Sequence, residues 1–312
     1  MNLFEYTYKL VKQIPSGKIS TYGAVARALG DIRASRAVGY MMNQNPDPDS
    51  MPCFKIVKSD GSLGGFGRGI KDKIKRLNDE GIDVKDGMIF DFEKVFFNGF
   101  KTDYPLKNLR EEQIEKSKKI NINNFVKNVE YVAGFDVANP KDAFDDACGA
   151  VVVMDYKSSK IVESKTVFMK NLFPYIPTYL TFRELPFIKK LLDDIDTKPD
   201  VLLIDGNGIL HPYGFGLASH VGVSLDIATI GVAKSLLCGS KENKHIYVNG
   251  KKVGYMFFSS KNIKKPVYIS PGHMTNLDKS IEIVKKLSKF KHPEPLRQAH
   301  ILATTSIKSY ID

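Results

Sequence analysis

Over the first fifty residues apolar positions recur at intervals of three and four. LFEYTYKLVKQI, TYGAVARAL and SRAVGYMMNQ each carry one apolar face and predict three helices, separated by the turns PSGK and GDIR. The second helix opens at Ser20-Thr21, and the third is led by Ser35-Arg36. Two short helices joined by a tight glycine-containing turn predict a helix-turn-helix; Ala34, Ala37 and Gly39 allow close packing while Arg36 points outward. A polar loop, NQNPDPDSM, leads to the apolar run CFKIV, predicted as a short strand, and after the glycine-rich GSLGGFGRG the stretch KDKIKRLNDE predicts a further helix. MIFDFEKVFF is strand-like, and NGFKTDYPLKN then breaks the pattern with Gly, Asp and Pro.

Beyond that break LREEQIEKSKK predicts a charged helix. The apolar runs VEYVAGFDVA, ACGAVVVMDY, KIVESKTVF, DVLLIDG, VGYMFFS and PVYIS then alternate with the helical patterns TFRELPFIKKLLDDI, ASHVGVSLDI and LDKSIEIVKKLSKF. The chain thus predicts two domains. Residues 1–102 form a mainly α, helix-turn-helix (winged-helix-like) domain, and residues 106–312 an α/β domain with a mixed central sheet and helices on its faces.

At 312 residues, 43% of them hydrophobic, there is material for two cores. No run of eighteen uncharged apolar residues exists, and the charged, helical start is unlike a secretory leader, so a cytoplasmic protein without membrane contact is expected. The cysteines, Cys53, Cys148 and Cys238, are odd in number and far apart, which argues against a disulfide framework and a zinc site. Any metal is expected on oxygen ligands. A net charge of +11 favours a polyanionic partner. Residues 1–100 carry fifteen Lys and Arg against twelve Asp and Glu, so most of the basic excess lies beyond them.

Two acids stand where a buried strand should have none: Asp136 in AGFDVA and Asp205 in LLIDGNG. A carboxylate there is costly unless paired or bound to a cation. Glu184, in the first turn of TFRELPF, is a third. Three carboxylates from two strands and a helix suit hard divalent ions, Mg²⁺ first and Mn²⁺ as the alternative. On spacing alone each acid is equally an N-cap or an ion-pair member.

The segments AGFDVA, FPYIPTYLTFRELP, PDVLLIDGNGILHPYGFGLASHVGV, TIGVAKSLLCG, PVYISPGH and HPEPLRQAH follow one another from about residue 105 onward. In that order they resemble the blocks of endonuclease V, the deoxyinosine-directed DNA repair nuclease (deoxyribonuclease V). The resemblance implies an RNase H-like fold, Asp136, Glu184 and Asp205 as metal-binding acids, and Lys234 in GVAKS and His273 in SPGH completing the active site. It implies that Pro174, Tyr175, Ile176 and Pro177 form the wedge that separates strands at the lesion, an aromatic stiffened by prolines. It further implies that Gly206 and Gly208 let backbone approach the extruded base, with His211 nearby. Tyr213 stands where the family usually has arginine. The implied reaction is hydrolysis of DNA 3′ to deoxyinosine, with inosine-containing RNA as the alternative substrate.

In the first half the motifs IPSGKISTYGAVARALG, RAVGYMMNQNPDP, PCFKIV, GSLGGFGRGIKDK and NDEG resemble the DNA-binding and active-site domain of O6-alkylguanine-DNA alkyltransferases, and the alkyltransferase-like proteins that share this domain without the cysteine. The resemblance implies that Arg36 enters the base stack, that Tyr22 presses on the phosphate to drive rotation, that Asn45 braces a turn and reads the base edge, and that Phe66 walls the pocket. It implies irreversible alkyl transfer to Cys53 without a cofactor, with Glu80 at the far end of a Cys-His-water-Glu relay; such activity is that of a methylated-DNA-protein-cysteine S-methyltransferase. The family's usual motif is PCHRV, and here Phe54 replaces the histidine that helps generate thiolate. A helix N-terminus, Lys55 and Arg68 are the candidates for lowering the thiol pKa instead. The alternative is a domain that binds and flips alkylguanine without transfer. Damaged DNA is the expected partner, and no obligate protein partner is expected.

Overall fold

The computed structural model of the chain describes residues 1–123, 126–260 and 263–311. They fall into two units, Met1–Glu111 with Leu172–Tyr179, and Glu112–Asn171 with Leu180–Asp312. Among the described residues no helix is long and apolar enough to cross a membrane.

The first unit is mainly helical. Its elements are α1 (Leu3–Val11), β1 (Ser20–Thr21), α2 (Tyr22–Leu29), α3 (Ser35–Asn43), β2 (Ile56–Val57), α4 (Ile70–Asp79), β3 (Val84–Lys85), β4 (Met88–Ile89), α5 (Phe92–Val95) and the start of α6 (Pro105–Ser117). Thr21 caps α2 by accepting the Ala24 N–H at 3.0 Å, and Gly30 ends it in a left-handed conformation, φ 105°. A 3-10 turn, Ile32–Ala34, then leads into α3, which buries Ala37, Val38, Met41 and Met42 and leaves Arg36 exposed.

Two expectations fail here. CFKIV is not one strand: Cys53–Lys55 is a 3-10 turn, closed by the Lys55 N–H on the Pro52 carbonyl at 3.1 Å, and only Ile56–Val57 pairs, parallel to β1. MIFDFEKVFF is not a strand either. Its first residues close a hairpin with β3 across Asp86-Gly87, both at positive φ, and Asp91, φ 50°, turns the chain into α5.

The second unit contains β5 (Tyr131–Ala138), β6 (Asp146–Asp155), β7 (Lys160–Lys170), α7 (Leu180–Asp194), β8 (Val201–Ile204), α8 (Leu217–Leu225), β9 (Ala228–Ala233), β10 (Ser240–Glu242), β11 (His245–Val248), β12 (Lys251–Phe257), β13 (Val267–His273), α9 (Leu277–Leu287) and α10 (Glu294–Ile311). Among the described residues these strands form one nine-stranded sheet in the order β10-β11-β12-β13-β9-β8-β5-β6-β7. Pairs β9/β8 and β8/β5 are parallel and the others antiparallel, so the sheet is mixed as the pattern predicts. Phe187, Ile188, Leu191, Ala218 and Val221 of α7 and α8 pack on one core, and Ile283, Val284, Leu287 and Leu296 of α9 and α10 on another.

The strands β9, β10 and β11 and the helix α10 are absent from the pattern-based expectation. ATIGVA is too short to separate strand from helix by period. α10 contains HPEPLRQAH residues whose apolar spacing is diluted by charge.

The sheet fixes what matters for chemistry. Register pairs Phe135 with Ile204 and Ile204 with Gly231, so the C-terminal ends of three adjacent parallel strands carry Asp136, Asp205 and Lys234 side by side. Such an edge is where α/β sheets place their ligands. Gly134 lies two residues before Asp136 on the same face. A Cβ there would sit 2.3 Å from the Pro295 backbone, so glycine is what lets the start of α10 approach β5.

Candidate active sites

In the first unit Cys53 is 5% exposed and lines a cavity of about 170 Å³ with Tyr22, Gly39, Met42, Asn43, Gly65, Phe66 and Gly67. Asn45 donates its amide N–H to the Cys53 sulfur at 3.1 Å and to the Met51 carbonyl at 3.2 Å, bracing the turn and the thiol together. Tyr22 packs its ring on Gly39, and its hydroxyl would lie 3.0 Å from a Cβ at Gly64; burial and the Cys53 charge both raise its pKa. Burial pushes the Cys53 thiol above its ordinary value, while the Asn45 hydrogen bond and the cations Lys73 and Arg76 pull it down.

Residues 1–210 contain no histidine that could serve the sulfur as a base. Phe54 is buried among Ile19, Val57, Leu63 and Leu77. Glu80 is committed elsewhere: its carboxylate takes Lys55 at 2.7 Å and the Gly17 N–H at 3.0 Å. Lys55 is 4% exposed and also donates to the Pro15 carbonyl, and Arg68 is held in a two-point pair by Asp49 at 2.7 and 2.9 Å. The cations that act on the thiol are therefore Lys73 and Arg76, which the motifs did not single out. Lys73 is fully buried, donates to the carbonyls of Ile56, Leu63 and Gly65, and has its pKa pushed down to about 8 by burial, with the Cys53 charge opposing. Its signal in the sequence was a lone lysine on the apolar side of α4.

In the second unit Asp136, Asp205, Lys234, His292 and His300 line a cavity of about 190 Å³ with Phe135, Leu296 and Arg297. Lys234 is ion-paired with Asp205. Burial works against the Lys234 charge, but Asp205, Asp136 and Glu184 together raise its pKa. His300 Nδ1 stands 2.7 Å from an Asp136 carboxylate oxygen. Asp136 is raised above the usual carboxylate range by burial and by Asp205, against the opposing pull of His300 and Lys234. Glu184 is pushed up to about 8 by burial and then by the charges of Asp136 and Asp205. Like charges held together in this way fit a hard divalent cation, which oxygen donors prefer. Among the described residues no three His, Cys, Asp or Glu side chains are already drawn together as a metal cage.

Residues 112–301 match the family model for Endonuclease V, and residues 2–82 match that for the 6-O-methylguanine DNA methyltransferase DNA-binding domain. The chain belongs to the Endonuclease V family. It is also similar along almost its whole length to proteins that join both parts. The bifunctional methyltransferase/endonuclease of Picrophilus torridus is 41% identical over 300 residues, covering 96% of this chain and 95% of the relative. That of Thermoplasma volcanium is 38% identical over 310 residues, covering 99% and 91%. Among solved structures, Endonuclease V from Streptomyces avermitilis superposes with a TM-score of 0.61 at 30% identity, covering 66% of this chain and 94% of that one. Endonuclease V from Ciona intestinalis, in complex with a 23mer DNA containing an inosine followed by a ribo-adenosine, gives 0.62 at 30% identity, covering 67% and 100%. The chain is thus a two-part enzyme of the methyltransferase/endonuclease type.

Within the Endonuclease V part the residues singled out from sequence separate into two groups. Asp136, Asp205 and Lys234 converge, and Glu184 lies within reach of their charges. His273 is away from them: it is 6% exposed at the end of β13, its Nδ1 accepts the Asn121 N–H at 3.2 Å, and its Nε2 is 3.8 Å from Asp226. The histidine at the acids is His300, carried by HPEPLRQAH, a motif recognised without a role for either histidine. Gly206 and Gly208 serve close approaches within the protein. A Cβ on Gly206 would meet the Leu217 side chain at 3.1 Å, and one on Gly208 the Pro271 carbonyl oxygen at 2.0 Å. His211 is 5% exposed, and its Nδ1 accepts the Tyr213 N–H at 3.3 Å. Of the segment Pro174 to Pro177, Pro174 and Ile176 are buried, whereas Tyr175 is 63% exposed and Pro177 is exposed.

Proposed function

We propose that the chain is a bifunctional DNA repair enzyme, residues 1–102 carrying alkyl transfer from O6-alkylguanine to Cys53 and residues 106–312 carrying nicking of DNA 3′ to deoxyinosine. The observation that carries the reading is the pair of separate, chemically unlike sites: an amide-braced thiol in a small cavity, and a row of carboxylates with a lysine at a sheet edge.

In the first reaction the Cys53 sulfur bonds to the alkyl carbon, the carbon–O6 bond breaks, its electron pair stays with guanine, and the thiol proton ends on the restored base. No histidine relay serves it. The Asn45 N–H and the charges of Lys73 and Arg76 stabilise the thiolate that attacks. Exposed Arg36 fills the stack, Tyr22 guides the turned-out nucleotide, and Phe66 walls the pocket. Lys73→Met is expected to slow alkyl uptake near pH 7.5 about tenfold and to move the pH midpoint of Cys53 alkylation by iodoacetamide upward. An unchanged midpoint would remove Lys73 from the account.

In the second reaction Asp136, Glu184 and Asp205 would hold a divalent cation, Mg²⁺ by the hardness of the donors with Mn²⁺ as substitute. A cation held there would supply positive charge to the scissile phosphate and the leaving oxygen. Lys234 adds a fixed charge beside the phosphate, and His300 holds Asp136 in place. Because Glu184 keeps its proton up to about pH 8 in the cation-free protein, cation binding must expel that proton. Apparent Mg²⁺ affinity is expected to strengthen as pH rises from about 5 to about 8 and to level off above. Titration of nicking rate against Mg²⁺ across that range checks it, and an affinity flat over those pH values contradicts it.

Matched DNA and RNA duplexes with a single inosine test the substrate assignment. Faster cleavage of DNA is expected, and preference for RNA would overturn it.

A further inference from the structure

The segment Leu172–Tyr179 lies inside the stretch that matches Endonuclease V, yet it packs as part of the first unit, with Met1–Glu111. Its attachments are specific. Tyr179 is 1% exposed; its hydroxyl stands 2.8 Å from the Asp31 carboxylate and 3.1 Å from the Leu106 carbonyl. The Arg110 guanidinium lies over the Tyr179 ring at 4.3 Å, hydrogen-bonds the Thr178 hydroxyl and stands 3.9 Å from Asp31. Ile176 is fully buried, and the Leu3 N–H donates to the Leu172 carbonyl at 3.1 Å. Thr178 is a β-branched residue held at φ 73°, a conformation such side chains adopt only when surrounding structure imposes it. Between these fixed points one large side chain is left outside, Tyr175.

We propose that Asp31, Arg110 and Tyr179 form an anchor by which the alkyltransferase part of the chain holds Tyr175 in the posture needed to part DNA strands for the nuclease. The inference rests on reading Tyr175 as the strand-separating tip. Asp31, Arg110 and Tyr179 are positioning residues: they touch neither substrate nor the acids and act through the backbone of residues 175–178. Asp31 also caps the turn before α3, accepting the Arg33 N–H at 3.0 Å, so the helix that presents Arg36 and the segment that presents Tyr175 share one carboxylate. A wedge does its work only where strands must be separated. An aromatic side chain left loose on its backbone spends its stacking energy on being ordered.

The test uses the full chain and two oligonucleotides of one sequence, each with a single deoxyinosine, one in a duplex and one single-stranded. Tyr179→Phe, which keeps the ring and loses the hydroxyl, is expected to slow nicking of the duplex about tenfold while nicking of the single strand stays within about twofold. Asp31→Asn is expected to act in the same direction. Tyr175→Ala, as the reference for losing the tip, should show the same selective loss. Selective loss in Tyr175→Ala with a wild-type duplex to single-strand ratio in Tyr179→Phe and Asp31→Asn overturns the anchor and leaves the tip standing. An unchanged ratio in Tyr175→Ala overturns the tip and the anchor with it. Equal loss on both substrates in Tyr179→Phe overturns the anchor too, since a general fold defect does not discriminate between them.

Discussion

Replacing Asp205 by alanine is expected to lower deoxyinosine-directed nicking at least about a thousandfold, with Cys53 taking up alkyl groups at the wild-type rate. Asp205 stands at the centre of its site. It follows the end of β8 level with Asp136, it is ion-paired with Lys234, and its charge is one of those that hold Glu184 protonated. Removing it takes away a cation ligand and releases Lys234 at the same time, so the loss exceeds that from any residue touching only one partner. The carboxylate is partly exposed at a strand end, so the substitution costs little in core packing. Single-turnover nicking and label transfer from O6-methylguanine DNA, measured on one preparation, separate the outcomes. Loss of both activities in a folded variant contradicts independent sites.

Cys53→Ser is expected to abolish alkyl transfer while binding of O6-methylguanine DNA stays within about threefold and nicking is unaffected. Serine preserves the size of the side chain and its contact with Asn45, so the cavity persists. A hydroxyl in the same place is far less nucleophilic than a thiolate. The cations nearby cannot bring a hydroxyl to ionise. If the serine variant still removes methyl from the base, the acceptor lies elsewhere.

Much of this was legible in the sequence because both sites are built from local signals. Asp136 and Asp205 each interrupt an apolar run, and interruption is visible without knowing which strands are neighbours. Cys53 was visible as a thiol after a proline. Its turn was not: CFKIV has the composition of a strand, and the 3-10 geometry follows from where Pro52 and Lys55 meet in space. The partners were hidden for the same reason. The resemblance puts Glu80 at the end of a relay to the cysteine; in the structure its carboxylate is paired with Lys55 at 2.7 Å, and the relay's middle member is replaced by Phe54. Lys73 acts on the thiol through its charge from α4, twenty positions later in the chain, and no spacing rule links the two. His300 rather than His273 meets Asp136 because Gly134 lets α10 lie against β5, a packing relation between segments more than 150 residues apart. The resemblance places Gly206 and Gly208 where backbone approaches the extruded base, and within the protein a Cβ at either position also meets the chain's own atoms, Leu217 and Pro271.

The claim on which the account turns is that a buried thiol without a neighbouring histidine accepts an alkyl group. Intact-protein mass spectrometry after incubation with excess O6-methylguanine duplex, followed by peptide mapping, tests it directly. The account predicts a single added methyl per chain, on Cys53, with the matching strand restored to guanine. Unmodified protein that nevertheless binds the methylated duplex would contradict it and leave a domain that only recognises the lesion.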